Sequence, residues 1–459
     1  AAYARDGYML AHVDGIRVDD QGVLHVHIVE GIVEDIIPAG NKKTRDKVIT
    51  REFVQKKGKP FNKFLVRRSV ERVYNLGFFD DVNVRMLPGD QDPNNVIIEI
   101  DVLEHKTGTI TLGAGYSKSD GLMGIIEFGE DNFRGTGDKF KVHWEIGGKK
   151  KYKNYQISYL KPWIDSKGTS LGFSFFNRED EYTDYNEDGN EVAEYNKKSR
   201  GFNISFGRQT GEYTRDYLTL ESRKDTYKWD SDDSSGYRYD TDAISNTTGS
   251  GNDWNNTNPS TGGSWNFASN NYVKNNFGRI NSITWQKVYD SRDNIYDPTR
   301  GRRISYTAQW AGHGLGGDFD FYKFTAEARM YKKLGAKNVL AFRARGGFIQ
   351  GDAPYSQLFT LGGADSLRGY EDDQFRGKYM YNATLEFRFP IVKKVSGVLF
   401  TDIGDAWDAP NVTWYNSKKT FNYGVGAGVR ITTPIGPVKL DYGVGKHKNK
   451  FHFSFGTQF

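Results

Sequence analysis

Arg368 is the side chain in this sequence whose surroundings best suit a specific polar contact. It lies in a long, glycine-rich connection and is flanked by Leu367 and Gly369 rather than by other charged residues. A guanidinium matches a carboxylate through two parallel hydrogen bonds, so this arginine is suited to a shielded ion pair; a solvated loop arginine is the alternative. No nucleophile or general base accompanies it. We therefore expect no catalytic residues and no enzymatic activity.

Composition excludes several other kinds of chemistry. The 459 residues include no cysteine, which rules out thiol catalysis, a disulfide scaffold and a Cys-ligated metal site. The 63 basic and 58 acidic residues are too balanced for a nucleic-acid-binding protein. No apolar run approaches the ~18 residues that a transmembrane helix needs. We expect no metal site, no cofactor and no nucleic-acid partner.

The elements that position Arg368 belong to a chain with two regimes of hydrophobic periodicity. Between residues 32 and 105 helix and strand patterns are mixed; Val66, Val70 and Val73, for example, share one helix face. The predicted elements are a strand at 33–39, helices at 43–55 and 62–76, and strands at 81–87 and 96–103. This βααββ order predicts a complete α+β domain at 32–105. Residues 1–31, with a strand at 24–29, are expected to be the C-terminal part of a second such unit.

From residue 107 onward, apolar residues recur at every second position, which is typical of strands with one apolar and one polar face. The clearest example is the apolar face formed by Phe451, Phe453, Phe455 and Phe459. Sixteen segments of this kind are predicted, at 107–119, 123–134, 138–149, 153–164, 170–182, 199–210, 213–229, 273–289, 301–311, 319–334, 338–350, 378–391, 396–407, 421–433, 437–445 and 450–459.

The connections between these segments indicate how the sheet is arranged. Every second connection along the chain is short. The longest insertions, at about 230–271 and 351–377, both belong to the other set of connections. A closed up-and-down barrel in a membrane has this pattern, with short turns on one side and long loops on the other. Lipid-facing positions carry almost no charge, as expected where a midplane Lys or Arg costs roughly 2–4 kcal/mol. We predict a 16-stranded antiparallel transmembrane β-barrel at 106–459; a soluble β-rich binding protein is the alternative.

The seam between the first and last predicted strands is a second candidate site. The first strand has few bulky side chains and contains Gly113 and Gly115, and glycines weaken a strand. A weak seam could open sideways and offer an unpaired edge to another strand. The alternative is that both glycines only permit the barrel to curve. The candidate residues are Thr109, Thr111, Leu112, Gly113 and Gly115 in the first strand, and Phe451, Phe453, Phe455 and Phe459 in the last.

Several motifs resemble those of a known family. The run 362–370, Gly-Gly-Ala-Asp-Ser-Leu-Arg-Gly-Tyr, resembles the loop-six motif of the Omp85 superfamily, with Leu367 and Tyr370 where that motif usually has Val and Phe. The βααββ unit is similar to a POTRA domain and joins the barrel directly through Val102-Leu103-Glu104, as in members that assemble outer-membrane proteins. Further similar stretches are Leu385-Glu386-Phe387, Phe400-Thr401-Asp402-Ile403-Gly404, Asp290-Ser291-Arg292-Asp293-Asn294, Pro298-Thr299-Arg300-Gly301 and Thr433-Pro434-Ile435-Gly436-Pro437.

The resemblance implies roles for individual residues. The connection 351–377, called loop six below, is expected to fold into the barrel, where its motif Leu367-Arg368-Gly369-Tyr370 meets the inner wall. Glu386 and Asp402 are the implied partners of Arg368, and strand alternation turns Glu386 away from Leu385 and Phe387, toward the lumen. The seam is implied to be a lateral gate.

The resemblance also implies a location and a function. The barrel is expected in the bacterial outer membrane and the POTRA domains in the periplasm. An outer-membrane insertase is expected to receive unfolded β-barrel proteins at POTRA strand edges and to fold them at the gate. Its implied partners are those clients, the lipoproteins of an assembly complex, periplasmic chaperones, and outer-membrane lipid or lipopolysaccharide. The alternative is a secretion pore, of the two-partner type or a translocation and assembly module like TamA.

Overall fold

A computed structural model gives the structure of residues 2–117, 121–147, 152–185, 189, 191–228, 277–294, 297–409, 418–433, 436–446 and 448–455. The long connection predicted at about 230–271 and the terminal Phe459 lie outside these described residues. The described chain divides into two compact units. One comprises residues 1–113, 125–143 and 157–162, and the other comprises the remaining residues to 459.

The N-terminal region contains a hairpin followed by a small α+β domain. A short helix, α1 (Ala2–Arg5), precedes the hairpin strands β1 (His12–Val18) and β2 (Leu24–Val29). The domain contains β3 (Val33–Ala39), α2 (Asp46–Thr50), α3 (Lys63–Tyr74), β4 (Phe79–Pro88) and β5 (Val96–Glu104). Its sheet order is β3-β5-β4, with β5 parallel to β3 and antiparallel to β4.

Helix α3 forms where the sequence predicts it, whereas α2 is shorter than predicted. The Asn62 side chain caps α3 by accepting hydrogen bonds from the N–H of Phe64 at 3.0 Å and of Leu65 at 3.4 Å. The predicted helix at 43–55 is wrong in extent, because α2 covers only Asp46–Thr50. The N–H groups of Val54 and Gln55 donate to the Ser69 hydroxyl of α3, at 2.9 and 3.2 Å, and not to helical carbonyls.

Sixteen strands in the described part of the chain form one antiparallel sheet and follow one another in it in chain order, while β17 (Phe359–Leu361) and β18 (Phe375–Gly377) form a separate two-stranded ribbon. The strands are β6 (Gly108–Ser117), β7 (Gly121–Phe133), β8 (Asp138–Gly147), β9 (Tyr152–Lys161), β10 (Ser170–Tyr185), β11 (Glu191–Gly211), β12 (Thr214–Lys228), β13 (Gly278–Asp290), β14 (Gly301–Ala311), β15 (Phe321–Leu334), β16 (Asn338–Gly351), β19 (Tyr379–Val392), β20 (Val395–Trp407), β21 (Asn422–Thr433), β22 (Gly436–Val444) and β23 (Asn449–Phe455). The predicted fold class, sixteen antiparallel strands after a βααββ unit, is confirmed.

Alternating side chains give each strand two different faces. On β6, Ile110 and Leu112 are 72% and 74% exposed, as suits a surface that faces lipid. On β19, Leu385 is exposed whereas the neighbouring Glu386 is 2% exposed, so the charged side chain is on the sheltered face. Among the described helices, none has the length and apolar character to cross a membrane.

A polar junction joins the α+β domain to the first hairpin of the large sheet, inside the first compact unit. The Glu104 carboxylate, at the end of β5, accepts hydrogen bonds from the N–H groups of Lys42, Lys43 and Thr44 at 2.6–2.9 Å. Lys43 in turn forms an ion pair with Glu130 of β7 at 3.0 Å. Thr44 accepts from the Asn132 side chain at 2.7 Å, so the junction holds the domain against the β7–β8 turn.

Substitution of Gly135, in the β7–β8 turn, is a test of this junction. Gly135 has a φ of +72°, and an added Cβ would lie 1.8 Å from the Lys43 carbonyl oxygen. Gly335 is the matched control, because its φ is +62° but an added Cβ would meet nothing within 4 Å. Overpacking costs typically about 1–3 kcal/mol, so Gly135→Ala is expected to speed protease cleavage between β5 and β6 about tenfold relative to Gly335→Ala. Equal cleavage of the two variants would mean that the turn does not hold the domain.

Glu104 makes the junction dependent on pH. Burial raises the pKa of Glu104, but hydrogen bonds from the Thr44 side chain and three backbone N–H groups outweigh it and lower the pKa below its ordinary value. A carboxyl with a lowered folded-state pKa stabilises the fold above its ordinary pKa of about 4.3, and this contribution is lost as the pH falls through the lower folded value. Hydrogen-exchange protection of the Lys42, Lys43 and Thr44 amides is therefore expected to fall as the pH drops below about 4.3.

The control for this prediction lies in the same domain. Glu34 accepts hydrogen bonds from the N–H groups of Asp90, Gln91 and Asp92 at 2.8–3.1 Å. In Glu104→Gln, protection at 42–44 is expected to be low already at neutral pH, while protection at 90–92 stays as in the wild type. If Glu104→Gln lowered the protection of both groups of amides at neutral pH, the domain would be unfolding as a whole.

Candidate functional site

Loop six is folded by its own glycines and one hydroxyl group. It contains a turn of 3₁₀ helix (Tyr355–Gln357) and a small ribbon formed by β17 (Phe359–Leu361) and β18 (Phe375–Gly377). Gly362 and Gly363 have φ values of +128° and +90°, which favour glycine. The Ser366 hydroxyl accepts from the Gly362 N–H at 2.9 Å and donates to the Gly362 carbonyl at 2.7 Å. This closed turn directs the following motif onto the sheltered face of the sheet.

Apolar side chains anchor the motif on both sides of Arg368. Leu367 is fully buried, in a cluster that includes Leu361 and Phe375. Tyr370 packs edge to face on Phe375, with ring centroids 5.1 Å apart. Its hydroxyl donates to the Tyr423 carbonyl at 3.1 Å. Leu367 and Tyr370, the two positions that differ from the usual motif, thus fill buried sites of their own.

Arg368 contacts both of the partners that the resemblance implied. Its Nε and Nη2 donate to the two carboxylate oxygens of Asp402 on β20, at 2.7 and 2.8 Å. Its Nη1 donates to Glu386 on β19 at 2.7 Å. The guanidinium is 3.4 Å from the centre of the Phe400 ring, and Arg368 is 3% exposed. The alternative of a solvated loop arginine does not describe this geometry.

Three further charged side chains complete the cluster around Arg368. Asp441 on β22 accepts from Arg368 Nη1 at 3.3 Å and pairs with Arg430 on β21. Arg388 pairs with Glu386 at 2.8 Å. Three arginines therefore face three carboxylates, and the six side chains are at most 5% exposed. A balanced buried cluster of this kind fixes a loop in place, because losing any one member leaves an uncompensated buried charge.

Sequence reasoning missed Asp441, Arg388 and Arg430 as members of the cluster. Each lies on the inward face of a strand that the two-residue period predicts, so a search for charged residues flanked by apolar ones would have found them. Arg430, for example, lies between Val429 and Ile431, and Asp441 between Leu440 and Tyr442. Within the described part of the chain, no group of three or more His, Asp or Glu residues could hold a metal ion.

Glycines on the last strands give the loop backbone room to approach the sheet. An added Cβ on Gly424 of β21 would lie 1.9 Å from the Arg368 carbonyl oxygen. On Gly443 of β22 it would lie 2.5 Å from the Gly369 nitrogen. Gly369 itself has a φ of +95°, and its N–H donates to His452 of β23 at 3.0 Å. The motif therefore docks against glycines of β21 and β22 and reaches β23 through His452.

The predicted seam residues lie on the two strands at the ends of the sheet order. Thr109, Thr111, Leu112, Gly113 and Gly115 are in β6, and Phe451, Phe453 and Phe455 are in β23. Phe451 and Phe453 are 60% and 57% exposed and point away from the sheltered face. Phe459 lies outside the described residues.

Comparisons with known proteins agree with these features. The family model described as the Omp85 superfamily domain matches residues 132–459, and the POTRA model, a surface antigen variable number repeat, matches 32–105. The outer membrane protein assembly factor BamA of Nitratidesulfovibrio vulgaris is 26% identical over the whole of this chain, which spans 56% of that protein's length.

Solved structures share the fold. BamA from Haemophilus ducreyi lacking POTRA domains 1–3 has a TM-score of 0.70 at 20% identity, over 99% of this chain and 90% of that one. CdiB from Acinetobacter baumannii has a TM-score of 0.61 at 15% identity, over 100% of this chain and 80% of that one.

Proposed function

The chain belongs to the Omp85 superfamily and is an outer-membrane protein, and from this premise we propose that it folds and inserts β-barrel proteins into the outer membrane. The observation that carries the proposal is the continuous similarity to an assembly factor, BamA, across both the POTRA domain and the sixteen-stranded sheet. The contacts of Arg368 with its two carboxylate partners support it, because the resemblance to this family implies the same contacts.

The POTRA domain is proposed to receive unfolded clients. Its sheet order leaves β3 and β4 at the edges, which can pair with an added strand beyond Val33, whose N–H and C=O already bond to Lys59 and Gly58. Lipoproteins of an assembly complex and periplasmic chaperones are proposed to bind on this side. Backbone pairing accepts many sequences, which suits a receptor for diverse clients.

The seam is proposed to act as a lateral gate. Gly113 and Gly115 weaken β6, so its outer edge is suited to release and to pairing with a client strand. A client that pairs at this edge satisfies its backbone hydrogen bonds before it enters lipid. Burial of its apolar face in the bilayer then drives insertion, and neither nucleotide nor enzymatic turnover is needed.

Client folding in liposomes tests the proposal. The protein is reconstituted in outer-membrane-like lipid, a urea-unfolded β-barrel is added, and its protease-resistant folded form is followed over time. Faster folding than in empty liposomes is expected. No acceleration, together with a large and steady ion conductance, would contradict the proposal and favour a secretion pore.

A further inference from the structure

We propose that loop six holds the last strand of the sheet in place, and that His452 and Lys450 are the positioning residues through which it does so. The inference rests on the proposed function for its consequence, since release of the last strand is what a lateral gate requires. Its structural content stands on the contacts that loop six makes with β23 and with the neighbouring β22.

His452 provides the first contact. It is 5% exposed and lies on the sheltered face of β23, between the exposed Phe451 and Phe453. Its Nε2 is 3.0 Å from the backbone nitrogen of Gly369. Because a backbone N–H only donates, Nε2 accepts, and the imidazole is neutral with its proton on the other nitrogen.

Lys450 provides the second contact, two residues earlier on the same face. It forms an ion pair with Glu371, which is two residues after Gly369 in loop six. The two contacts are two residues apart in loop six and two residues apart in β23. Loop six therefore runs alongside β23 and meets it at successive inward-facing positions. The loop therefore follows the strand and does not touch it at a single point.

The neighbouring strand connects these contacts to the arginine cluster. In the β22–β23 register Asp441 is opposite His452, and Gly443 is opposite Lys450. Asp441 binds Arg368, and Gly443 is one of the glycines that admit the loop backbone. Loop six thus spans the β22–β23 pair, with Arg368 fixed on the inner strands and residues 369 and 371 on the last one.

The position of β23 explains why this restraint matters. It is at one end of the sheet order, and its seven residues pair with β22 from Val444↔Asn449 to Val438↔Phe455. A strand at the end of a sheet frays most readily, because hydrogen bonds to one neighbouring strand hold it on one side only. Two polar contacts from loop six oppose that fraying from the sheltered face.

Hydrogen exchange of the β23 amides, measured without client, tests the inference. His452→Leu removes the acceptor, His452→Gln retains one, and Lys450→Met removes the ion pair. Lys439→Met is the matched control, because Lys439 pairs with Asp365 of loop six at 2.6 Å but lies on β22. Amides of β19 and β20 report whether the sheet stays folded.

Loss of one hydrogen bond or ion pair is expected to speed exchange across 449–455 about tenfold in His452→Leu and Lys450→Met. His452→Gln and Lys439→Met are expected to exchange as the wild type does, since each leaves the acceptor or the β23 contacts in place. The inference is overturned if His452→Leu exchanges like the wild type, or if Lys439→Met frees β23 equally. Client folding is assayed separately, so a protein that fails to insert clients can still show the restraint.

Discussion

Replacing Arg368 by alanine is expected to release loop six from the sheet and to slow client folding at least tenfold. The substitution leaves three buried carboxylates, on Glu386, Asp402 and Asp441, with two arginines to compensate them. Breaking a buried ion pair by removing one partner costs about 3–5 kcal/mol, because it leaves an uncompensated buried charge. Arg368→Lys is expected to be intermediate, because an ammonium does not reproduce the two parallel bonds to Asp402.

The absence of native cysteine makes release of the loop directly measurable. Leu367→Cys places a thiol at a fully buried position, so maleimide labelling is expected to be slow with Arg368 present and fast in the Arg368→Ala background. Arg208→Ala is the control: its ion pair with Asp165 lies at 2.9 Å on the surface, where such pairs contribute about 0–1 kcal/mol. Slow labelling in both backgrounds would show that the cluster does not hold the loop.

Gly424→Ala is expected to displace the same loop without changing any charge. The added Cβ would lie 1.9 Å from the Arg368 carbonyl oxygen, and that oxygen belongs to backbone, which cannot move without moving the motif. Gly424 is also opposite Asp402 in the β20–β21 register. Displacing the loop backbone at this point therefore also disturbs the ion pair between Arg368 and Asp402. Overpacking of this kind typically costs about 1–3 kcal/mol, and faster labelling of Leu367→Cys together with a lower melting temperature is expected.

Gly346→Ala is the matched control for Gly424→Ala. It adds the same methyl group to β16, where its nearest neighbour would be the Met380 carbonyl at 3.7 Å, an ordinary contact. Any general cost of an alanine in a strand is shared by the two variants. Equal labelling rates in Gly424→Ala and Gly346→Ala would argue against close docking of the loop backbone.

The two ends of the large sheet are restrained by different polar contacts. At the start of the sheet, the Lys43–Glu130 ion pair and the Asn132–Thr44 hydrogen bond hold the first hairpin to the POTRA domain. At its end, His452 and Lys450 hold β23 to loop six. If the proposed gate opens between these two ends, each set of contacts is a separate point of control, and the Gly135 and His452 variants test them separately.

The sequence predicted the strands well because their signal is local. A two-residue period identifies all sixteen strands of the large sheet, and it correctly turns Glu386 toward the sheltered face while Leu385 faces outward. Helix α2 was overextended because its termination depends on a tertiary contact, the Ser69 hydroxyl that takes the N–H groups of Val54 and Gln55. Local periodicity contains no information about that contact.

The site was predicted only where a motif specified both partners. Arg368 with Glu386 and Asp402 came from the family resemblance, and the contacts with Asp441 and His452 did not. Alternation says which face a side chain occupies, but the register between strands and the path of a 27-residue connection decide which side chains meet. The close approach of loop six to β21 and β22 depends on glycines at 424 and 443, whose role becomes visible only once the strands are placed.

Site-specific cross-linking during insertion tests the central claim most directly. A photo-reactive residue replaces Leu112 in β6, or Tyr306 in the middle of the sheet on β14, and both native side chains are exposed. If β6 provides a template edge, cross-links from position 112 to the client rise and then decay as the client folds, while position 306 gives few. Accelerated client folding with no excess of cross-links at position 112 over position 306 would contradict the gate mechanism.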